Sequence, residues 1–242
     1  MSCDTFVLDP RVKEALGIAD YHLTRRFPSK RNAVYQVWIR DSRGMENDIV
    51  IKRRGSGAVN LSLEAQRQEQ LLAAAVSVPP VLYYDEDNLV TQFIRGETVC
   101  DQLQIWEELD ALAQAAELGE LLADWLLGFS RAAEELWGDS TWVMGDVNLR
   151  NFLISSGKVY GLDFETASPG DRLQDAAGVL AFLLTYDPAL TEWKLAVVRR
   201  WLSTFQRKLC LSPDELRHQL VIELEQIARR RNALLPDPLP FI

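Results

Sequence analysis

The chain has 242 residues, 48% of them hydrophobic, enough for a sizeable core in one large domain or two small lobes. Its formal net charge of −9 argues against a nucleic-acid partner, which normally meets a basic excess. Three scattered cysteines (Cys3, Cys100 and Cys210) with no C-x-x-C, and only two histidines, exclude a disulfide framework, a zinc site and a histidine-rich metal centre.

In chain order, the first β signals are the alternating runs Asn32–Ile39 and Asp48–Arg53. The polar, Gly-containing connection RDSRGMEN joins them as a hairpin. The segment Ser62 to Val76 has helical composition, with Ser62 as N-cap and the Pro79-Pro80 pair as the stop. VLYY and NLVTQFI read as strands about a DED turn. After Gly96 the pattern becomes helical, with Leu118, Leu121, Leu122, Trp125 and Leu126 at helical spacing. Two short strands interrupt it within VMGDVNLRNFLISSGKVYGLDFE, Val143 to Glu165. Helices are expected again at Asp175–Tyr186, Leu190–Leu209 and Pro213–Leu235, the last capped by Ser212 with Pro213 in its first turn. The tail PDPLPFI reads as extended.

Strand signals therefore cluster before Gly96 and helix signals after it. The expectation is an α+β chain of two lobes, a β-rich one over residues 1–95 and a mainly helical one over 96–242. A cleft between lobes is a common place for a ligand. The N-terminus lacks a leader pattern and the longest apolar runs are too short to span a bilayer. The expected location is cytoplasmic, with no membrane partner.

Asp146, Asn151 and Asp163 carry chemistry of a recognisable kind. Phosphoryl transfer needs a cation for the phosphates, hard oxygen ligands for Mg²⁺ and a group that orients the nucleophile. Asp146 and Asn151 are five residues apart in one loop. A hairpin turning at Ser155-Ser156-Gly157-Lys158, with its second strand ending at Asp163, would bring that residue back beside Asn151. The plainer reading is turn chemistry, since Asp and Asn side chains bond local backbone.

GD(x4)NFLI followed by VYGLDFE resembles the protein-kinase-like superfamily, on its aminoglycoside phosphotransferase and choline kinase branch. The resemblance implies a bilobal kinase-like fold that uses ATP and Mg²⁺. It makes Asp146 the base that orients the acceptor hydroxyl, and Asn151 and Asp163 the Mg²⁺ ligands. Lys52 in DIVIKR resembles the lysine that touches the α- and β-phosphates. Glu64 resembles its ion-pair partner, with Glu69 as the fallback on another helix face. Thr91 would be the gatekeeper and the backbone of Gln92, Phe93 and Ile94 would bond adenine. Ser29 would contact phosphate where the family has a glycine-rich loop, and Asp175 would brace the catalytic loop from a buried position. Two departures stand out: RFPSKRNAVYQV replaces the glycine loop, and Met144 stands where the family has a histidine.

The resemblance implies phosphoryl transfer to a hydroxyl of a small polar or cationic molecule. Alternatives are a compact atypical protein kinase, a catalytically impaired nucleotide-binding pseudokinase, and a non-kinase α+β domain. Residues 107–139 carry nine acidic side chains, either a wall for a polycationic substrate or a solvated helix face. Arg229-Arg230-Arg231 reads as a solvated helix end, favourable against the helix dipole.

Overall fold

The computed structural model describes residues 6–56, 60–138 and 140–231. The chain divides into two compact units, residues 1–73 with 78–95, and residues 74–77 with 96–242.

The first unit is built on an antiparallel sheet of order β1-β2-β3-β5-β4. Its strands are β1 (Ile18–Phe27), β2 (Ala33–Asp41), β3 (Glu46–Arg53), β4 (Val81–Tyr84) and β5 (Asn88–Gln92). The expected hairpin is β2–β3, registered Val37 to Ile49 and Val34 to Lys52. Side chains alternate across a strand, so Ile49 and Ile51 share one face with Val37, Ile39 and Val90. There they form a core with Leu8, Val12 and Ile18. The opposite face carries Val50, Lys52, Leu89 and Thr91, and helix α2 (Leu61–Ala73) seats Leu61 and Ala65 against Leu89.

The structure corrects the expectations at several ends. No element was expected before residue 32, yet helix α1 (Pro10–Ala15) and strand β1 are there. Helix α1 is too short for periodicity, although Asp9 caps it and Pro10 opens it. Strand β1 is a sheet edge with only Ile18 buried, so its alternation is faint. Ser62 lies inside α2, and its N–H donates to Asn60 Oδ1 at 2.8 Å. Helix α2 ends at Ala73, well before the proline pair, and Ala75 follows in the left-handed region with φ 63°. The DED turn is held by Asp85 Oδ1, which accepts from the N–H groups of Asp87 and Asn88.

The second unit holds β6 (Glu97–Thr98), α3 (Val99–Glu108), α4 (Leu112–Trp137) and β7 (Trp142–Val143). A 3₁₀ turn (Leu149–Asn151) leads into the hairpin β8 (Phe152–Ser155) and β9 (Lys158–Gly161). Strand β10 (Ser168–Pro169) and helices α5 (Arg172–Thr185), α6 (Glu192–Leu209) and α7 (Pro213–Arg231) complete the described part. Helix α5 starts three residues before the expected Asp175, because Asp171 caps it through the Leu173 N–H. Thr191 likewise caps α6 and moves its start from Leu190 to Glu192. The tail from residue 232, Cys3 and Asp139 lie outside the described residues.

Aromatic packing ties the hairpin to α4. Trp125 stacks on Phe129 at 5.5 Å and meets Phe152 edge-on at 5.2 Å. Gly161 is flush against this indole; a Cβ there would lie 2.0 Å from Trp125. Trp125 Nε1 donates to the Ser77 carbonyl at 2.9 Å, and the Gly161 N–H donates to the same oxygen at 3.1 Å. Helix α4 packs on α6, where buried Trp201 donates to the Ala115 carbonyl at 2.7 Å, and α5 packs on α7.

Candidate active site

In the first unit, Lys52 stands on the sheet face that α2 covers. Its Nζ donates to both carboxylate oxygens of Glu64, at 2.8 and 3.0 Å. Both side chains are largely withdrawn from water, Lys52 to 11% and Glu64 to 4% exposure. Removing two charges from solvent is costly and is offset only by close, bidentate geometry of this kind. Glu69, the alternative partner, is exposed on α2. Thr91 is buried on the same sheet face as Lys52.

The stretch Gln92–Ile94, expected to bond adenine, is partly occupied by the sheet itself. The Gln92 N–H donates to the Pro80 carbonyl at 2.9 Å and the Phe93 N–H to the Asp48 carbonyl at 3.3 Å. Among the described residues, the Ile94 N–H has no backbone partner in the ladder. Ser29 lies exposed in the β1–β2 connection, where its Oγ accepts from the Asn32 N–H at 3.3 Å. Its own O–H remains a donor.

In the second unit, the loop after β7 is held mainly by backbone atoms. Asp175 on α5 is 5% exposed, and its carboxylate accepts from the Met144 N–H at 2.6 Å and the Gly145 N–H at 3.0 Å. Thr166 Oγ1 donates to the Met144 carbonyl at 2.9 Å. The Met144 side chain is fully buried and the anchoring of this turn runs through its main chain. Gly145 has φ 81°, and a Cβ there would approach the Thr166 carbonyl oxygen to 3.0 Å. Burial pushes the Asp175 carboxyl up to about 6, although both backbone donors oppose the shift.

Asp146 follows this anchor and is exposed. The Asn148 N–H donates to its Oδ1 at 3.3 Å. Asn148 in turn opens the 3₁₀ turn, its Oδ1 accepting from the Arg150 N–H at 3.0 Å. Asn151 Nδ2 donates to the Asp146 carbonyl at 3.0 Å. That bond fixes the amide so that its oxygen is the end left to serve a hard cation.

The hairpin turns at Ser156 and Gly157, with φ 50° and 74°, the signature of a two-residue turn matched to strand twist. Strand β9 ends at Gly161, two residues earlier than expected, and the Leu162 N–H donates to the Asn151 carbonyl at 2.8 Å. Asp163 comes next, partly buried and in the left-handed region with φ 64°. Aspartate tolerates that region better than most residues. The fold thus brings Asp146, Asn151 and Asp163 to one end of a single hairpin and loop.

Thr166, Asn148 and Tyr186 had no place in the sequence expectations. Tyr186 reaches the loop from the end of α5, its hydroxyl donating to Asn148 Oδ1 at 2.5 Å. No spacing rule joins residues this far apart; only the packing of α5 shows it.

The acidic run on α3 and α4 is partly spoken for. Glu107 pairs with buried Lys194 at 3.1 Å. Glu120 meets Arg207 and Lys208, and Asp124 meets Lys208 at 2.6 Å. The Arg207 guanidinium holds the Glu120 carboxyl down at about 2. These carboxylates link α3 and α4 to α6. Arg229 pairs with Glu225 one turn back, and Arg231 donates to the Thr185 carbonyl at 2.5 Å.

A five-stranded antiparallel sheet with its Lys–Glu pair, and a helical unit carrying a braced Asp-x4-Asn loop, are the parts of a protein-kinase-like fold. The model of the phosphotransferase enzyme family matches residues 93–211, just under half of the chain. Among solved structures, the streptomycin–ATP ternary complex of APH(2")-IIa aligns over 94% of this chain and 95% of that one. Its identity is 12% and its TM-score 0.55. Amicoumacin kinase hAmiN, in complex with AMP-PNP, Ca²⁺ and amicoumacin, aligns over 95% and 90%, with 14% identity and a TM-score of 0.58. No curated protein matches the sequence. The chain therefore has the fold of these two kinases over nearly its whole length, and residues 93–211 resemble the phosphotransferase enzyme family. Among the described residues no helix is long and apolar enough to cross a membrane.

Proposed function

We propose that the protein is an ATP-dependent phosphotransferase that moves the γ-phosphoryl group to a hydroxyl of a small polar or cationic molecule. The observation that carries this reading is the loop Met144–Asn151. Its main chain is fixed by Asp175, Thr166 and Asn151, while the Asp146 carboxylate is left exposed. A scaffold that holds a loop rigid and presents one carboxylate to solvent suits a residue that must meet a second reactant.

In this reading residues 1–95 bind nucleotide and residues 96–242 carry the catalytic loop and the acceptor. Lys52, positioned by Glu64, neutralises the phosphates, and the Ser29 hydroxyl donates to them. Ile94 supplies the N–H for adenine beside the carbonyls of Gln92 and Phe93. Asn151 and Asp163 are the hard oxygen donors that suit Mg²⁺, which would offset charge on the phosphates. Asp146 accepts the proton of the acceptor hydroxyl and aligns it for attack.

A small-molecule acceptor agrees with the complexes of the two similar structures, which hold streptomycin and amicoumacin. The stretch from Asp163 to α5 is short, taken up by Phe164–Ala167, β10 and the α5 cap, and offers no long activation segment.

The test is ADP release from Mg-ATP across a panel of hydroxylated small molecules: aminoglycosides, choline-like amines and neutral sugars. Turnover with at least one acceptor, abolished by Asp146→Ala, is the expected result. Turnover that survives the substitution overturns the mechanism. A chain that binds ATP without any transfer would instead be a pseudokinase. Binding at about 100 times Kd raises stability by roughly 2.7 kcal/mol, readily seen as a melting shift.

A further inference from the structure

Helix α5 touches the Asp146 loop at two points. Near its start, Asp175 holds the Met144 and Gly145 N–H groups, just before Asp146. At its C-cap, Tyr186 donates to the Asn148 side chain, just after Asp146. The two anchors are eleven residues apart, about 16 Å along a helix rising 1.5 Å per residue. A helix is a stiff rod, so the two grips are not independent, and Asp146 lies between them.

The second grip acts on the residue that organises the rest of the loop. Asn148 Oδ1 accepts from the Tyr186 hydroxyl and from the Arg150 N–H at once. The Asn148 carbonyl accepts from the Asn151 N–H at 2.7 Å, and its N–H donates to Asp146. Turning the Asn148 side chain would therefore disturb both the exposed carboxylate and the turn that carries Asn151. The Tyr186 ring is itself held in place. The guanidiniums of Arg150 and Arg231 each lie 5.9 Å from its centroid, and Phe182 stacks at 6.3 Å.

We infer that Tyr186 is a positioning residue for phosphoryl transfer: it holds Asn148, and through it Asp146, from the far end of α5. This rests on the reading of Asp146 given above. Burial raises the phenol's pKa, so the hydroxyl stays a neutral donor across the working pH range.

Tyr186→Phe removes the hydroxyl and keeps the ring between its neighbours, so the fold should persist. Two measurements are made on the full chain: ADP release from Mg-ATP with the best acceptor or with water, and amide hydrogen exchange of residues 146–151. The expected result is about a tenfold lower kcat, with KM for ATP within twofold, and about tenfold faster exchange in that loop, with α6 unchanged. Because the hydroxyl also meets the Leu149 backbone and Cys100, adding Tyr186→Phe to Asn148→Ala should have a clearly smaller effect than it has in the wild type. Wild-type exchange in the loop overturns the inference. So does faster exchange with an unchanged kcat, or an additive double variant. Asp146→Ala run alongside separates the two claims. If it retains turnover, or if the wild type releases no ADP, the catalytic reading fails and the exchange result alone decides whether Tyr186 grips the loop.

Discussion

Lys52 sits 2.8 Å from a carboxylate in a place nearly closed to water, whereas Asp146 stands exposed on a loop whose neighbours make the holding hydrogen bonds. The first unit places a charge with an opposite charge. The second places one with backbone amides, a buried carboxylate and an asparagine turn. A charge held by a charge depends on both partners for stability. A charge held by its main chain can be removed with little harm to the fold. The two regions should therefore fail differently when they are cut.

The largest effect should come from the exposed side. Asp146→Ala is expected to lower turnover by about 10²–10⁴-fold. Its melting temperature should stay near the wild-type value, because the residue's anchors lie on either side of it. A large drop in melting temperature would erase the contrast.

Cutting the ion pair should do the reverse in part. Lys52→Met leaves the Glu64 carboxylate in a site that is 4% exposed without its ammonium, and should cost about 3 kcal/mol of stability. Replacing both residues, Lys52→Met with Glu64→Leu, should recover most of that stability and none of the affinity for ATP. Denaturant unfolding and nucleotide titration of the same samples check both halves.

Asp175 gives the comparison a pH axis. Its carboxyl is raised by burial from an ordinary 3.8 to about 6. The native state then holds an extra proton between about pH 4 and pH 6. Its contribution to stability is complete below that range and is lost as pH rises through it, on the order of 3 kcal/mol in all. The stability difference between wild type and Asp175→Asn should therefore shrink as pH is raised from 4 to 6. A difference that stays flat across that window would mean the carboxylate is charged in the fold at no cost.

The smallest effect belongs to the start of α2, the helix that carries Glu64. Asn60→Ala should cost about 1 kcal/mol, as loss of a cap does, while Ser62→Ala should cost almost nothing. Equal losses would restore Ser62 as the cap.

The legible parts of the fold were those with strong local patterns. The β2–β3 alternation put Ile49 and Ile51 on one face and Lys52 on the other, and the sheet keeps that division. The Ser155–Lys158 turn and the Ser212-Pro213 helix start were likewise written in short stretches. Strand β1 was not, because an edge strand with one buried residue has little alternation to read. The ends of α2 were misplaced for a related reason. Asn60 and the left-handed Ala75 act at single positions, and composition averages over them.

The sequence by itself determined which chemical groups this chain owns and their order: Lys52, Glu64, Asp146, Asn151, Asp163, Asp175. It also determined the local backbone preferences that make a hairpin between Asn151 and Asp163. Tertiary structure alone decided what holds those groups. Glu64 rather than Glu69 meets Lys52 because only one face of α2 rests on the sheet. Met144 is anchored through its backbone, which Asp175 and Thr166 grip. Tyr186 reaches Asn148 because α5 lies along the loop. Such contacts join residues tens of positions apart, and their geometry is set by packing, which no local pattern encodes.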